Sequence, residues 1–153
     1  MAVKVGDVAP DFQVKDDSGK SRTLAEFRGK RVVLYFYPKD STPGCTKEAC
    51  SFRDGYHKLQ EAGIVVLGVS FDSVESHRKF KEKQKLPFIL LSDEKKAIAD
   101  AYGASGGILG SLAAKRYTYL IDETGKIVHI FQKVDVQNHA DEVLQAFAKQ
   151  ADK

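Results

Sequence analysis

The stretch Arg31–Cys50 reads R-V-V-L-Y-F-Y-P-K-D-S-T-P-G-C-T-K-E-A-C, and its reading decides the fold class. Arg31–Tyr37 is a continuous apolar run of the kind found in strands buried on both faces. Pro38, which cannot donate to a strand ladder, stops it. Thr42 is a good helix N-cap, and Pro43 suits the first helical position, where a missing N–H costs nothing. A helix is therefore expected from Pro43 to about Ala62. A buried strand leading into a helix is the opening of an α/β unit.

The same alternation continues on either side. Ile64–Phe71 (IVVLGVSF) reads as a second buried strand, after which Asp72 caps a helix and Glu75 completes a capping box. Phe88–Leu91 is a shorter strand, followed by a helix near Glu94–Tyr102 that Gly103 can terminate. Gly106, Gly107 and Gly110 make a loop. Tyr117–Ile121 and Lys126–Lys133 pair across the turn Asp122-Glu123-Thr124-Gly125. The last helix starts at Asn138 and buries Ala140, Val143, Leu144 and Phe147 at helical spacing. Upstream, Pro10–Val14, the turn Asp16–Gly19 and Ser21–Leu24 read as a short hairpin. No linker or repeat interrupts this order, so residues 1–153 are expected to form one α/β domain.

Composition narrows the function classes. The 153 residues, 42% of them hydrophobic, suffice for a core without staples or metal, and exclude whole-chain disorder. The 24 Lys and Arg against 21 Asp and Glu give a net charge of +3 spread along the chain. The one basic cluster, Lys79–Lys85 (KFKEKQK), contains an acid and an aromatic and reads as a solvated helix face. Nucleic acid is not the expected partner. The longest apolar runs, Val32–Tyr37 and Ile64–Val69, fall far short of a membrane span. Met1–Asp7 lacks the basic-then-apolar layout of a secretory signal. Two cysteines are too few for a disulfide scaffold, which favours a reducing compartment.

The chemistry concentrates at Cys45, the third helical position. In a capping box a Glu carboxylate would stand there and reach back to unpaired backbone N–H groups. A thiolate can accept from the same donors and feels the positive end of the helix dipole, so both effects favour the anion and a reactive cysteine. The alternative is a small buried hydrophobe near a helix start.

Cys45, Ala49, Phe52, Tyr56 and Leu59 follow steps of four and three and form one apolar stripe facing the core. Cys50 lies about 140° round the helix from Cys45, near Arg53, Asp54 and His57, with the two Cα atoms roughly 8.7 Å apart. A disulfide needs less than about 7 Å, so the pair cannot bond while the helix is intact. Cys50 is then either a half-buried small residue or a partner for Cys45 after local unwinding. Zinc is disfavoured, since His57, His77, His129 and His139 show no ligand spacing and read as surface or structural residues. No C-x-x-C motif is present.

These residues resemble the peroxiredoxins, and more narrowly the peroxiredoxin Q or bacterioferritin comigratory protein group. The signature P-x-x-x-[TS]-x-x-C is met by Pro38, Thr42 and Cys45, and the group's G-C-T-x-E-A-C-x-F-R-D runs from Gly44 to Asp54 without a gap. Further matches are Gly6–Phe12, Leu86-Pro87-Phe88, Leu91-Ser92-Asp93 and Arg116–Asp122 (RYTYLID). The resemblance implies a thioredoxin-like fold, a central mixed sheet flanked by helices with an added N-terminal β-hairpin. It implies thiol-based reduction of hydrogen peroxide and alkyl hydroperoxides without haem, flavin or metal.

In that picture Cys45 is the peroxidatic nucleophile and Cys50 resolves its sulfenic acid as an intramolecular disulfide, which thioredoxin or a similar dithiol reduces. Thr42 orients the peroxide, Pro38 shields the cysteine, and Arg116 holds the thiolate and peroxide oxygens. Glu48, one turn after Cys45, would orient Arg116; otherwise it is an exposed residue paired with Lys47 or nothing. The stretch Gly103–Lys115 is Gly- and Ala-rich and looks closer to the plant and cyanobacterial branch. A monomer is expected, in the cytoplasm or, alternatively, as a plastid protein after removal of a transit peptide. The rivals are a thiol–disulfide oxidoreductase without peroxidase activity, and a non-enzymatic holdase or binding module on the same scaffold.

Overall fold

The structure is a computed structural model that describes residues 3–106 and 113–151. The first strands, β1 (Gln13–Asp16) and β2 (Ser21–Thr23), form the expected N-terminal hairpin. Arg31–Phe36 is β3, five of its six residues buried, followed by α1 (Pro43–Asp54) and α2 (Tyr56–Glu61). Then come β4 (Ile64–Ser70), α3 (Val74–Gln84), β5 (Ile89–Ser92) and α4 (Ala97–Tyr102). The chain closes with β6 (Thr118–Ile121), β7 (Ile127–Phe131) and α5 (His139–Ala151).

All seven strands join one mixed sheet in the order β2-β1-β5-β4-β3-β6-β7. The centre, β5-β4-β3, is parallel, as the continuous apolar runs require, and the hairpins at both edges are antiparallel. Alternation along β3 sends Val33, Tyr35 and Tyr37 into one core cluster and Val32, Leu34 and Phe36 into another. The first cluster takes residues from α1, α2, α3 and α5. The second takes them from α4 and the N-terminal segment. Among the described residues, no helix is long and apolar enough to cross a membrane.

Three local expectations are corrected. The helix expected to run to about Ala62 breaks at Gly55. A Cβ at Gly55 would sit 2.9 Å from the Ala140 side chain, and Ala140 N donates to Ser51 Oγ at 3.1 Å. The break lets the start of α5 seat on the end of α1. The N-cap of α3 is Ser73, which accepts from Ser76 N, and not Asp72. Asp72 has another engagement: its carboxylate accepts from Asp40 N and from Ser70 Oγ. The third correction, at Thr42, belongs to the site below. The lysine cluster behaves as expected, with Lys79 paired to Glu75 along α3 and Phe80 turned into the core. The loop expected around Gly107 and Gly110 lies mostly outside the described residues.

Candidate active site

The site forms at the carboxyl end of β3, where the chain leaves a parallel sheet for a helix and ligands commonly bind. The antiparallel register pairs Tyr35 with Thr118, and Phe36 N donates to Tyr117 O at 2.8 Å. Arg116, two residues before β6, is thereby delivered beside the start of α1. Its guanidinium forks. Nη1 donates to Glu48 Oε1 at 2.7 Å, and Nη2 donates to Cys45 Sγ at 3.3 Å. Gly44 makes room for this approach, since a Cβ there would stand 3.1 Å from Nη2.

Cys45 is 1% exposed and packs in the core cluster with Ala49 and Phe52, as the stripe requires. Among the described residues, Arg116 is the only hydrogen-bond donor to its sulfur; no backbone N–H of the helix start reaches it. The side chain lies on the core stripe instead of folding back over its own turn. The expected direct contact with backbone donors is therefore replaced by a guanidinium, and the helix dipole acts at longer range.

Thr42 stands at the N-cap with extended backbone and Pro43 follows at the first helical position, yet the Thr42 hydroxyl makes no capping bond. It donates to Lys39 O at 2.9 Å, within the loop that also holds Pro38. The cap position is as expected but the capping bond is not made: the hydroxyl is turned to donate to a loop carbonyl, and in that orientation its oxygen accepts from no helix N–H. Cys50 is half-buried on the same unbroken helix, and both cysteines are free thiols. The Cys50 thiol points at Gln84 Oε1 at 3.7 Å, and Arg53 Nη1 donates to Gln84 O at 2.8 Å. Cys50 thus faces the end of α3, with His57 beyond the break.

Glu48 is fully buried, not the exposed alternative. Only one of its oxygens is used: Oε2 has no partner, and neither does the buried Tyr35 hydroxyl. Burial pushes the Glu48 carboxyl up from 4.5 to about 7, against the lowering effect of Arg116. Burial, with the charges of Glu48 and Cys45, also raises Tyr35 far above the ordinary phenol range, so it stays neutral.

A carboxyl raised in the fold binds its proton where the unfolded chain has released it, so stability falls as pH rises between 4.5 and about 7. The loss is roughly 3 kcal/mol, and Glu48→Gln should remove it. Urea midpoints against pH check this: the difference between wild type and variant should slope across that window. A flat difference would mean that Glu48 is ionised throughout.

The structure brings Cys45, Glu48 and Arg116 together by hydrogen bonds, with Pro38 and Thr42 on the loop that leads into α1 and Cys50 five residues beyond Cys45 on that helix. Sequence reasoning missed Asp40 and Gly44. Asp40 sits inside the signature between Pro38 and Thr42, a placement that could have flagged it. The glycine was quoted within a motif, but its role as the seat of Arg116 depends on a strand more than 70 residues away.

The chain is similar to known proteins in sequence and in fold. The AhpC/TSA family matches residues 5–130. Peroxiredoxin Bcp of Bacillus subtilis is 42% identical over 157 residues, covering 100% of both chains. A cysteine-to-serine mutant of Xylella fastidiosa PrxQ superposes with a TM-score of 0.91 at 32% identity, over 99% of each chain. The bacterioferritin comigratory protein of Xanthomonas campestris, a structure described for its alkyl peroxide reduction activity, superposes at 0.87 with 37% identity over 97% of this chain and 98% of its own. A buried thiol bonded to an arginine at a helix start, on this sheet and at these identities, places the chain in the AhpC/TSA family, among its peroxiredoxins of the Bcp and Q type.

Proposed function

We propose that this thiol peroxidase works through Cys45, and that the Arg116 fork is the observation carrying the assignment. One guanidinium touches both the sulfur and a buried carboxyl, so its charge is held where a peroxide must enter. The Cys45 thiolate attacks one oxygen of the hydroperoxide. The S–O bond forms as the O–O bond breaks, and the departing oxygen leaves as water or an alcohol after taking a proton. Sulfur is oxidised by two electrons and the peroxide is reduced by two. Arg116 and the positive helix start stabilise the charge that builds on the leaving oxygen, with Thr42 orienting the peroxide and Pro38 covering the thiol.

The sulfenic acid of Cys45 then condenses with the Cys50 thiol, forming the S–S bond and releasing water. Because both residues sit on one continuous helix, α1 must open locally first, and that opening gates turnover. A dithiol protein such as thioredoxin reduces the disulfide. The whole cycle needs one chain, which supports a monomer, and a reducing compartment, cytoplasm or plastid stroma.

The test is to oxidise wild type and Cys50→Ser with one equivalent of hydrogen peroxide and identify the product at Cys45 by mass spectrometry. Wild type should give the internal disulfide, and the variant a sulfenic acid that a dimedone probe captures. A disulfide-linked dimer as the main wild-type product would remove Cys50 from this role.

A further inference from the structure

The loop between β3 and α1 is held from beneath by a buried cluster that the reaction scheme does not use. Asp40, two residues after Pro38 and two before Thr42, is 6% exposed, and its carboxylate is fully engaged. Tyr37 Oη donates to Oδ1 at 2.6 Å, and Ser76 Oγ donates to Oδ2 at 2.8 Å. His77, 0% exposed on α3, places Nδ1 2.7 Å from Oδ2 and Nε2 2.9 Å from Leu91 O. A carbonyl and a carboxylate both only accept, so both ring nitrogens donate and His77 is an imidazolium. Asp40 N donates in turn to Asp72 Oδ2 at 2.9 Å. Potential ligand atoms of Asp40, Asp72 and His77 lie within 4.8 Å of one another, but hydrogen bonds occupy them without an ion.

The next residue, Ser41, has a φ of 62°, a left-handed backbone that a non-glycine residue adopts only when its surroundings enforce it. Asp40 supplies that enforcement on one side and Pro43, locked at the first helical position, on the other. The geometry points to His77 and Asp40 as positioning residues for the peroxide reaction: the buried pair fixes the loop that sets Thr42 and Pro38 over Cys45. The inference rests on the roles given above to Thr42 and Pro38.

The sign of the pH effect follows. Burial lowers the His77 pKa, but the hydrogen bond and charge of Asp40, the Leu91 carbonyl and the nearby Asp72 outweigh it, so the value lies above the ordinary 6.5. The groups facing the ring are Asp40 and Tyr37 from the β3 end, Asp72 from the β4–α3 loop, Ser76 on α3 and the Leu91 carbonyl of β5. The clamp is intact below the ordinary imidazole value and is weakened as pH rises through the folded one, where the ring keeps a single N–H and can no longer donate to both Asp40 and the Leu91 carbonyl.

The test compares two rates at Cys45: oxidation by hydrogen peroxide, which needs the loop, and alkylation by iodoacetamide, which does not. His77→Leu should slow oxidation about tenfold or more while alkylation stays level or quickens. His77→Asn, which keeps a donor toward Asp40, should stay within about threefold of wild type. Ser76→Ala removes one tie without leaving the carboxylate unpaired. It should lower the ratio of oxidation to alkylation about two- to threefold, and decides the matter if His77→Leu does not fold.

In wild type, the same ratio should fall on the alkaline side. The inference is overturned if folded His77→Leu oxidises at the wild-type rate, if both rates drop together, or if Ser76→Ala leaves the ratio unchanged where His77→Leu cannot be made. Thr42→Val separates the two layers. If it leaves oxidation unchanged, the loop's role itself fails; if it slows oxidation and His77→Leu does not, only the clamp fails.

Discussion

Replacing Cys45 by Ser should take peroxide consumption to background while the fold survives. The side chain occupies a closed corner between α1 and β3, and a hydroxyl fits the volume of a thiol. The exchange costs a little stability, because a buried hydroxyl needs a partner and Arg116 Nη2 is the one within reach. Chemistry is another matter. A serine hydroxyl stays protonated beside Arg116 at neutral pH, and oxygen cannot take up the two electrons' worth of oxidation that sulfur carries into a sulfenic acid. Peroxide loss followed with a dithiol reductant present checks this, with circular dichroism reporting the fold. Retained turnover would point to a cofactor-like contaminant or to Cys50. Retained holdase activity in a peroxidase-dead variant would revive the binding-module reading.

Arg116→Met should lower the rate of Cys45 oxidation by about 10²–10³-fold, the usual effect of removing one preorganised donor from a developing charge. Two losses add up in it. The attacking sulfur loses its hydrogen bond and adjacent positive charge, and the leaving oxygen loses its counter-charge. Arg116→Lys should recover only part. Nη1 and Nη2 serve two acceptors on different turns of α1 at once, and an ammonium cannot fork in that way. Left without its partner, the buried Glu48 carboxyl would take up a proton, which limits the cost in stability. Stopped-flow oxidation rates of the three proteins check the order wild type, Lys, Met. Equal rates for Lys and wild type would reduce Arg116 to a point charge.

The strand Arg31–Tyr37 and the helix start at Thr42-Pro43 were readable because each depends on local physics: an apolar run closed by proline, and a proline where no N–H is wanted. The strand ends one residue early, at Phe36, although Tyr37 N still donates to Val69 O. The far end of the same helix was not readable. Its break at Gly55 is set by Ala140, 85 residues on, and no local pattern around Gly55 announces that approach. The cap of α3 shifted from Asp72 to Ser73 for a similar reason, since Asp72 is claimed by Asp40 from the active loop.

Within the site, the motif located Cys45, Thr42, Pro38 and Arg116. It did not say that Thr42 would turn to Lys39 O, or that arginine would replace backbone donors at the sulfur. His77 carried a faint signal: it lies three residues before Phe80 and so shares the core-facing side of α3, where a solvated histidine does not belong. Its partner Asp40 is 37 residues away, and only the fold brings them together.

The central claim is that Cys45 is a tuned peroxidatic thiol and Cys50 its partner. Rapid-quench thiol titration of the reduced wild type with one equivalent of hydrogen peroxide tests it most directly. The account gives loss of both thiols in step with peroxide consumption, far faster than a free cysteine reacts under the same conditions. Oxidation of Cys45 no faster than that free thiol would contradict it, whatever the family of the chain.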